Sequence, residues 1–230
     1  MLWLGLALLT AVLGLLYYWL FIVTEGLYLG RRVVVWLYDL TAHKYDGIKE
    51  FDPDAEQFFL IRPLVVRLRP VPNPLVLDVA TGTGRLPYFL LEEATFNGRI
   101  VGLDASGKML QLAQEKLRPY GHRASLVQQT AVPLPFPSNQ FDLVTCLEAL
   151  EFFPSDTAAL REMVRVLRPG GTLLVTRRKG PEGKAFIGRY RNVAQFEALL
   201  TELGLEAVHT NPWQLDYDQV FGKKPVGGNP

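Results

Sequence analysis

At 230 residues the chain is long enough for one sizeable core and too short for two full domains with linkers. Its 24 basic and 23 acidic side chains leave a formal charge of +1 with no basic stripe, which argues against a nucleic-acid partner. One cysteine, Cys146, excludes an intrachain disulfide framework and a cysteine-built zinc site, and the three histidines, His43, His122 and His209, lack metal-ligand spacing, so no metal is expected.

Met1 to Val23 carries no charged side chain. As a helix this run would reach about 35 Å, against a hydrocarbon core of about 30 Å. Trp3 stands near one end and Tyr17, Tyr18 and Trp19 near the other, as in an interfacial aromatic belt. A cleaved secretory signal would have a basic start, a shorter apolar core and small residues at the cleavage site. Here the run begins Met-Leu-Trp and leads into Thr24-Glu25-Gly26, so cleavage is not expected. A buried core helix would usually be shorter and keep a polar face. The expectation is therefore a single-pass transmembrane anchor over 1–23, with the membrane bilayer as a partner. Arg31 and Arg32 follow it, and the positive-inside rule then puts the rest of the chain on the cytoplasmic side. Residues 24–70 read as a juxtamembrane amphipathic and helical cap segment. Within it, Gly30 to Tyr45 suits a helix lying in the interface or one packing on the domain, and the pattern does not choose.

From residue 71 to 225 short apolar runs alternate with helical stretches. Leu75 to Ala80 predicts a buried strand ending in a Thr-Gly-Thr-Gly turn, with a helix over Leu86 to Ala94. Arg99 to Asp104 predicts the second strand, Gly107 to Leu117 a helix, Ala124 to Gln128 a third strand and Phe141 to Leu147 a fourth. A helix over Asp156 to Leu167 should break at Arg168-Pro169-Gly170-Gly171, before a fifth strand over Thr172 to Thr176. A helix over Asn192 to Leu203 leads to strands over Glu206 to Thr210 and Gln214 to Gly222, too close for a helical crossover and so paired antiparallel. The sum is an α/β fold: a Rossmann-like, seven-stranded, mainly parallel sheet with an antiparallel C-terminal strand and helices on both faces, preceded by the transmembrane helix. Residues 226–230 read as a tail.

In an open parallel sheet a ligand sits outside the C-terminal strand ends. Asp78 is a carboxylate inside an apolar strand, costly unless hydrogen-bonded or paired. Gly82 and Gly84 let backbone approach a ligand, and the next helix offers free N–H groups to a carboxylate. Asp104, at the end of the second strand, can accept both hydroxyls of a ribose. As alternatives, Asp78 ties strand ends together and Asp104 caps a helix. A dinucleotide fingerprint fails at the third glycine position, which is Pro87.

LVLDVATGTGRLP, IVGLDASGKMLQLA, VPLPFPSNQFDLVTCLEALEFFP and RVLRPGGTLLVT, spanning Pro74 to Thr176, resemble four successive motifs of the class I methyltransferases, in the family's order and at about its spacing. The nearest flavour is the small-molecule group that includes the ubiquinone and menaquinone C-methyltransferases, although their long N-terminal signature is absent. The resemblance implies S-adenosyl-L-methionine as cofactor. It gives Asp78 and the backbone of Ala80, Thr81, Gly82 and Gly84 to the methionine part, Asp104 to the ribose, and Ala105, Met109, Thr130 and Ala131 to the adenine. Leu147 and Glu148 would line cofactor and substrate mouth, and Tyr45, in a Tyr-Asp pair, would cover the cofactor. Ala80 replaces a commoner glycine. Thr130 replaces the usual aspartate, which weakens adenine binding by about 1 kcal/mol.

Methyl transfer from a sulfonium needs positioning and exclusion of water more than covalent help, so a missing catalytic dyad does not argue against an enzyme. Glu148 and Glu151, the latter where relatives often have histidine, are candidate bases for a hydroxyl or acidic carbon, or else helix-start carboxylates. Arg177 and Arg178 meet an anionic acceptor or are solvated. Lys179 to Arg191, with Phe186 and Tyr190, is the expected substrate cover. The anchor points to a lipophilic acceptor, such as a quinone precursor or a lipid. A catalytically silent tethered scaffold and an NAD-dependent oxidoreductase are the competing readings.

Overall fold

The computed structural model describes residues 2–49 and 51–227. Helix α1 (Leu2–Tyr17) runs on through a wider turn, Tyr18–Val23. Trp3–Val23, with mean hydropathy 2.3 and no part of it buried, is long and apolar enough to cross a membrane. Two left-handed residues, Glu25 (φ 47°) and Gly26 (φ 75°), then turn the chain. A Cβ on Gly26 would lie 2.8 Å from Val33 Cγ1, so the turn is pressed onto the next helix and needs a glycine there.

That helix, α2 (Arg31–Lys49), answers the question left open for Gly30 to Tyr45. It packs on the domain: Val34 and Ala42 are buried, and the Asp39 carboxylate accepts from Ser106 Oγ and, at 3.3 Å, from Lys108 N. Its opposite face leaves Trp36 and Leu40 more than half exposed, at 56% and 55%. Helix α3 (Pro53–Glu56) starts where Asp52 accepts from Asp54 N and continues through Gln57–Ile61 into α4 (Arg62–Leu68).

The domain then alternates strands and helices: β1 (Leu75–Val79), α5 (Arg85–Glu92), β2 (Arg99–Asp104), α6 (Gly107–Leu117), β3 (Ala124–Gln128), β4 (Phe141–Cys146), α7 (Asp156–Val166), β5 (Leu167–Arg178), α8 (Gly180–Ala185), α9 (Val193–Glu202), β6 (Glu206–Pro212) and β7 (Tyr217–Lys223). Ser106, Ser155 and Asn192 cap α6, α7 and α9 by accepting from main-chain N–H groups of the first turn. The seven strands form one sheet in the order β3-β2-β1-β4-β5-β7-β6. β1 to β5 pair in parallel, while β7 lies antiparallel to both β5 and β6. This is the expected Rossmann-like sheet, with β7 inserted beside β5.

Strand alternation sends residues to two cores. Leu77, Val79, Val144 and Val175 pack under α7 and α9 through Leu160, Met163, Phe196 and Leu200. Val76, Ile100, Leu143 and Leu174 pack under α4, α5 and α6 through Leu64, Leu90 and Ala113. Strand order reverses between β1 and β4, so their C-terminal ends diverge and leave a crevice. Element ends otherwise shift by a few residues, as at β6 and β7, and two departures are larger. β5 starts at Leu167 rather than Thr172, because Arg168 to Gly171 is absorbed as a register irregularity opposite Phe141 and Leu143. Helix α8 was not expected, since its Gly-Pro start reads locally as a turn.

Candidate functional site

A cavity of about 300 Å³ opens at the C-terminal ends of β1, β2 and β4. Its floor is the glycine turn. Ala80 has φ 58°, a conformation that costs a residue with a Cβ roughly 1–2 kcal/mol and explains why glycine suits this position. Gly82 (φ 55°) borders the cavity, and a Cβ there would meet nothing within 4 Å. Gly84 plays a different part: a Cβ would lie 3.2 Å from Ala113 Cβ, so this glycine lets the turn pack against α6 and does not line the cavity.

Asp104 joins the turn to β2. Its two carboxylate oxygens accept from Gly82 N and Ser106 N, each at 2.8 Å, and each retains a further lone pair. Burial raises its pKa, opposed by the N–H groups of Ser106, Gly82 and Ala105. Asp78 is 3% exposed, and its Oδ1 accepts from the hydroxyl of Thr145, its register partner on β4, at 2.7 Å. Burial pushes the Asp78 carboxyl up to about 6, against that hydrogen bond. With Thr81, Thr83 and Arg85 it lines a side recess of about 40 Å³ that shares Tyr45, Ala80, Gly82, Leu147 and Glu148 with the main cavity. Thr81 Oγ1 is buried in this turn with no hydrogen-bond partner among the described residues. Ala105, Met109, Thr130, Ala131 and Leu147 line the main cavity.

The roof comes from α2, which brings Val34, Val35, Tyr38 and Tyr45 over the cavity. Burial raises the pKa of Tyr45, and Glu148 adds to the rise. Asp46 fastens α2 to the glycine turn, accepting from Thr83 Oγ1 and, at 2.7 Å, from Lys116 Nζ. Tyr38 and Val34 had no signal in the sequence beyond the apolar run around them.

Of the four weaker candidates, only Glu148 reaches the cavity. It too is left-handed (φ 53°), with its N–H donating to Thr176 Oγ1 at 2.6 Å. Lys49 at 2.9 Å and Arg85 at 2.6 Å pair with it. Burial opposes its ionisation, but Lys49 and Arg85 outweigh burial and hold the carboxyl below its usual range. Arg85 also binds Glu56 and lies 3.9 Å from the centre of the Phe51 ring. Neither Arg85 nor Glu56 was expected. Arg85 could have been found as the one charge inside the TGTGRLP turn; Glu56 has no local signal.

Glu151, Arg177 and Tyr190 gather instead around a separate space of about 30 Å³ under α8. Glu151 accepts from Tyr217 Oη at 2.5 Å and pairs with Arg178 at 3.3 Å. Arg177 pairs with Asp218 and donates to Arg191 O at 3.1 Å. Arg178 also pairs with Glu182 at 2.8 Å, so neither arginine is solvated or free to meet an anionic acceptor, because internal carboxylates engage both. The expected cover, Lys179 to Arg191, holds Phe186 buried. It is fastened to the foot of the apolar helix, where Trp19 Nε1 donates to Ala185 O at 3.2 Å and Tyr28 Oη to Ile187 O at 3.0 Å.

A carboxylate at the end of β2, a left-handed glycine turn after β1 and a C-terminal antiparallel strand beside β5 together define the class I methyltransferase fold, whose cofactor is S-adenosylmethionine. The residues present fit that cofactor: open space over Gly82, an unsatisfied Thr81 hydroxyl, free lone pairs on Asp104 and an apolar wall at Ala105, Met109 and Leu147. Residues 76–171 match the methyltransferase domain family. That stretch is a methyltransferase domain, set in a chain with the class I, S-adenosylmethionine-dependent methyltransferase fold.

It is 42% identical over 99 residues to a demethylmenaquinone methyltransferase of Listeria welshimeri, covering 43% of this chain and 42% of that protein. It is 38% identical over 136 residues to a ubiquinone/menaquinone biosynthesis C-methyltransferase of Shewanella frigidimarina, covering 58% of this chain and 54% of that one. The chain thus spans about half the length of these relatives. Among solved structures, a [4+2]-cyclase gives a TM-score of 0.70 at 20% identity, covering 84% of this chain and 96% of that one. A SAM-dependent methyltransferase of Aquifex aeolicus gives 0.62 at 21%, covering 80% and 97%. At such identity these two share the fold.

Proposed function

We propose that this protein transfers a methyl group from S-adenosylmethionine to a small lipophilic acceptor, of the quinol or lipid class, at a membrane surface, with the catalytic domain on the cytoplasmic side. The division that accompanies this reading is an anchor over 1–23, a cap over 24–70 and a methyltransferase domain over 71–225. The observation that carries it is the position of α2: the helix that roofs the cofactor cavity follows directly from an exposed apolar helix. Supporting it, α2 leaves Arg32, Trp36 and Leu40 outward at helical spacing, a basic and apolar stripe suited to the interface of a bilayer. The relatives named for menaquinone and ubiquinone synthesis support an acceptor of the quinol class.

In this reading the cofactor supplies a methyl group already activated for displacement. Asp104 binds the ribose hydroxyls, Asp78 and the recess around Thr81 and Arg85 hold the amino-acid end, and Met109, Ala131 and Thr130 border the adenine. Tyr45 and α2 exclude water, which strengthens every polar contact beneath them.

Full-length protein in proteoliposomes, given methyl-labelled S-adenosylmethionine and a total lipid extract, should label the quinol or lipid fraction. Deleting 1–23 should lower turnover of the membrane-borne acceptor far more than that of a water-soluble analogue. Equal loss on both sinks the membrane reading, and no label in any fraction despite bound cofactor sinks the acceptor class.

A further inference from the structure

Besides the outward face of α2, the edge of the sheet that holds the cavity leaves large apolar side chains in water at a second place. Phe58 and Phe59, in the helical run between α3 and α4, are 60% and 52% exposed, and their rings meet edge-on at 4.9 Å. Leu215, in the loop between β6 and β7, is 90% exposed. Arg62, three residues after Phe59, is exposed as well.

Strand register puts both pieces on that edge. Arg178, the last residue of β5, pairs with Tyr217, the first of β7, so the loop carrying Leu215 emerges beside the C-terminal end of β5. The main-chain O of Phe59 accepts from Gln219 Nε2 at 3.0 Å, and Gln219 pairs with Thr176 near the same strand end. The apolar helix stands on this edge too, since Trp19 donates to Ala185 O at the end of α8, the helix that follows β5.

Both pieces are held from inside. The Trp213 ring centre lies 5.3 Å from the Arg85 guanidinium, which pairs with Glu56, two residues before Phe58. Gln214 donates to Glu148 Oε1 at 3.1 Å. Glu56 and Leu60, on either side of the phenylalanine pair, are buried. The apolar side chains therefore face outward from a fixed backbone, as a contact surface does. Aromatic rings beside a basic residue suit the headgroup level of a bilayer.

We propose that Phe58, Phe59 and Leu215 form a second contact with the lipid bilayer. The inference rests on the membrane reading of the apolar helix, and the occupant follows from that helix rising off the same edge. The two contacts lie over opposite faces of the sheet. Leu60 and Ile61, next to the phenylalanine pair, belong to the core under α4, α5 and α6, whereas Arg191 ties the cover that carries the foot to Asp156 at the start of α7. With both in lipid, the domain cannot tilt about its span, the C-terminal edge of the sheet faces the bilayer, and an acceptor reaches the cavity without crossing water.

The test uses full-length protein in liposomes of phosphatidylcholine and phosphatidylglycerol. Cys146 is buried, so Leu215→Cys and Phe58→Cys each offer one accessible thiol for an environment-sensitive fluorophore. Asn97→Cys, exposed at the opposite edge ahead of β2, is the reference. Relative to the label at position 97, those at 215 and 58 should be quenched at least about twofold by lipids spin-labelled near the headgroup end of the acyl chain. They should also be shielded about fivefold from aqueous iodide. If the protein enters the liposomes and either label responds like the one at 97, the second contact is refuted while the anchor and the methyl-transfer reading stand. Shielding from iodide without quenching by the lipid means that a second copy of the chain covers the patch, which also overturns the proposal. Protein that does not enter the liposomes overturns the anchor and the second contact together.

Discussion

Replacing Asp78 by Asn should make the unliganded protein more stable at neutral pH and worse at binding its cofactor. Asp78 is 3% exposed, and burial moves its carboxyl from 3.8 to about 6. Keeping it ionised at about pH 7 therefore costs the fold on the order of 3 kcal/mol. An amide keeps the acceptor for Thr145 Oγ1, which sits 2.7 Å from Asp78 Oδ1. It also adds an N–H₂ group that Thr145 does not satisfy, returning about 1–2 kcal/mol of the gain. The net expectation is a gain of about 1–2 kcal/mol near neutrality.

The sign of the pH dependence follows from the direction of the shift. A carboxyl whose folded value lies above its unfolded one binds more protons in the native state through the window from 3.8 to about 6, so its contribution to stability falls as the pH rises through that window. The wild type should lose stability there relative to Asp78→Asn, and at the acid end, where the carboxyl is neutral, the order should reverse, the variant being less stable by the roughly 1–2 kcal/mol of its unsatisfied amide. Thermal unfolding of both proteins in the same detergent across that range measures the difference, in which other titrating groups cancel. Calorimetry with S-adenosylhomocysteine supplies the other half: wild-type affinity should fall as the pH drops below about 6, since a charged ammonium favours the ionised carboxylate. The variant should bind weakly with little pH dependence. An Asp78→Asn protein less stable than wild type at neutral pH, or a stability difference that does not change across the window, would falsify this account of the strand carboxylate.

Asp104→Ala removes the acceptor for Gly82 N and Ser106 N along with the two proposed ribose contacts. At about 1.5–3 kcal/mol for each hydrogen bond to a charged group, S-adenosylhomocysteine affinity should fall by at least about 100-fold in a calorimetric titration, and retention within tenfold contradicts the ribose role. Arg85→Met leaves Glu56 and Glu148 facing each other without their shared cation, although Lys49 still holds Glu148. The melting temperature should drop by the equivalent of about 3 kcal/mol, since breaking a buried pair strands a charge, and a drop below about 1 kcal/mol would show that the network is wet and expendable.

How much of this was legible in the residues depends on how local the signal is. β1, its turn and β2 were readable because apolar runs, left-handed glycines and a terminal acid all fall within one short stretch. The start of β5 was not, because Pro169-Gly170-Gly171 carries the chemistry of a turn, and only the pairing of its flanks, Leu167 with Phe141 and Thr172 with Leu143, carries the strand through it. Helix α2 has apolar residues on both faces: Val34 and Ala42 inward, Trp36 and Leu40 outward. Its sequence therefore fits an interfacial helix and a packed one equally, and tertiary contact decides. The Arg85 network joins residues with no shared local pattern. The arginines after β5 misled for a related reason, since Asp218 and Glu182, which neutralise them, lie on other elements.

The apolar helix and the site are better regarded as one structural unit than as a tether and its load. Trp19 and Tyr28 hold the main chain of the cover at Ala185 and Ile187, and Leu27 packs with Val34, Phe152 and Phe186 where the roof and the cover meet. A flexible linker would set only the concentration of the domain near a bilayer. This foot instead fixes its orientation, because Gly26 permits no gap between the turn and α2. Truncation after Val23 removes the apolar run and the Trp19 bond but spares Glu25 and Leu27. Truncation after Gly30 also takes away one side of the wall shared by roof and cover. If the foot belongs to the site, the second cut should abolish turnover of a soluble acceptor that the first cut leaves largely intact. Equal behaviour of the two truncations would reduce the foot to a linker.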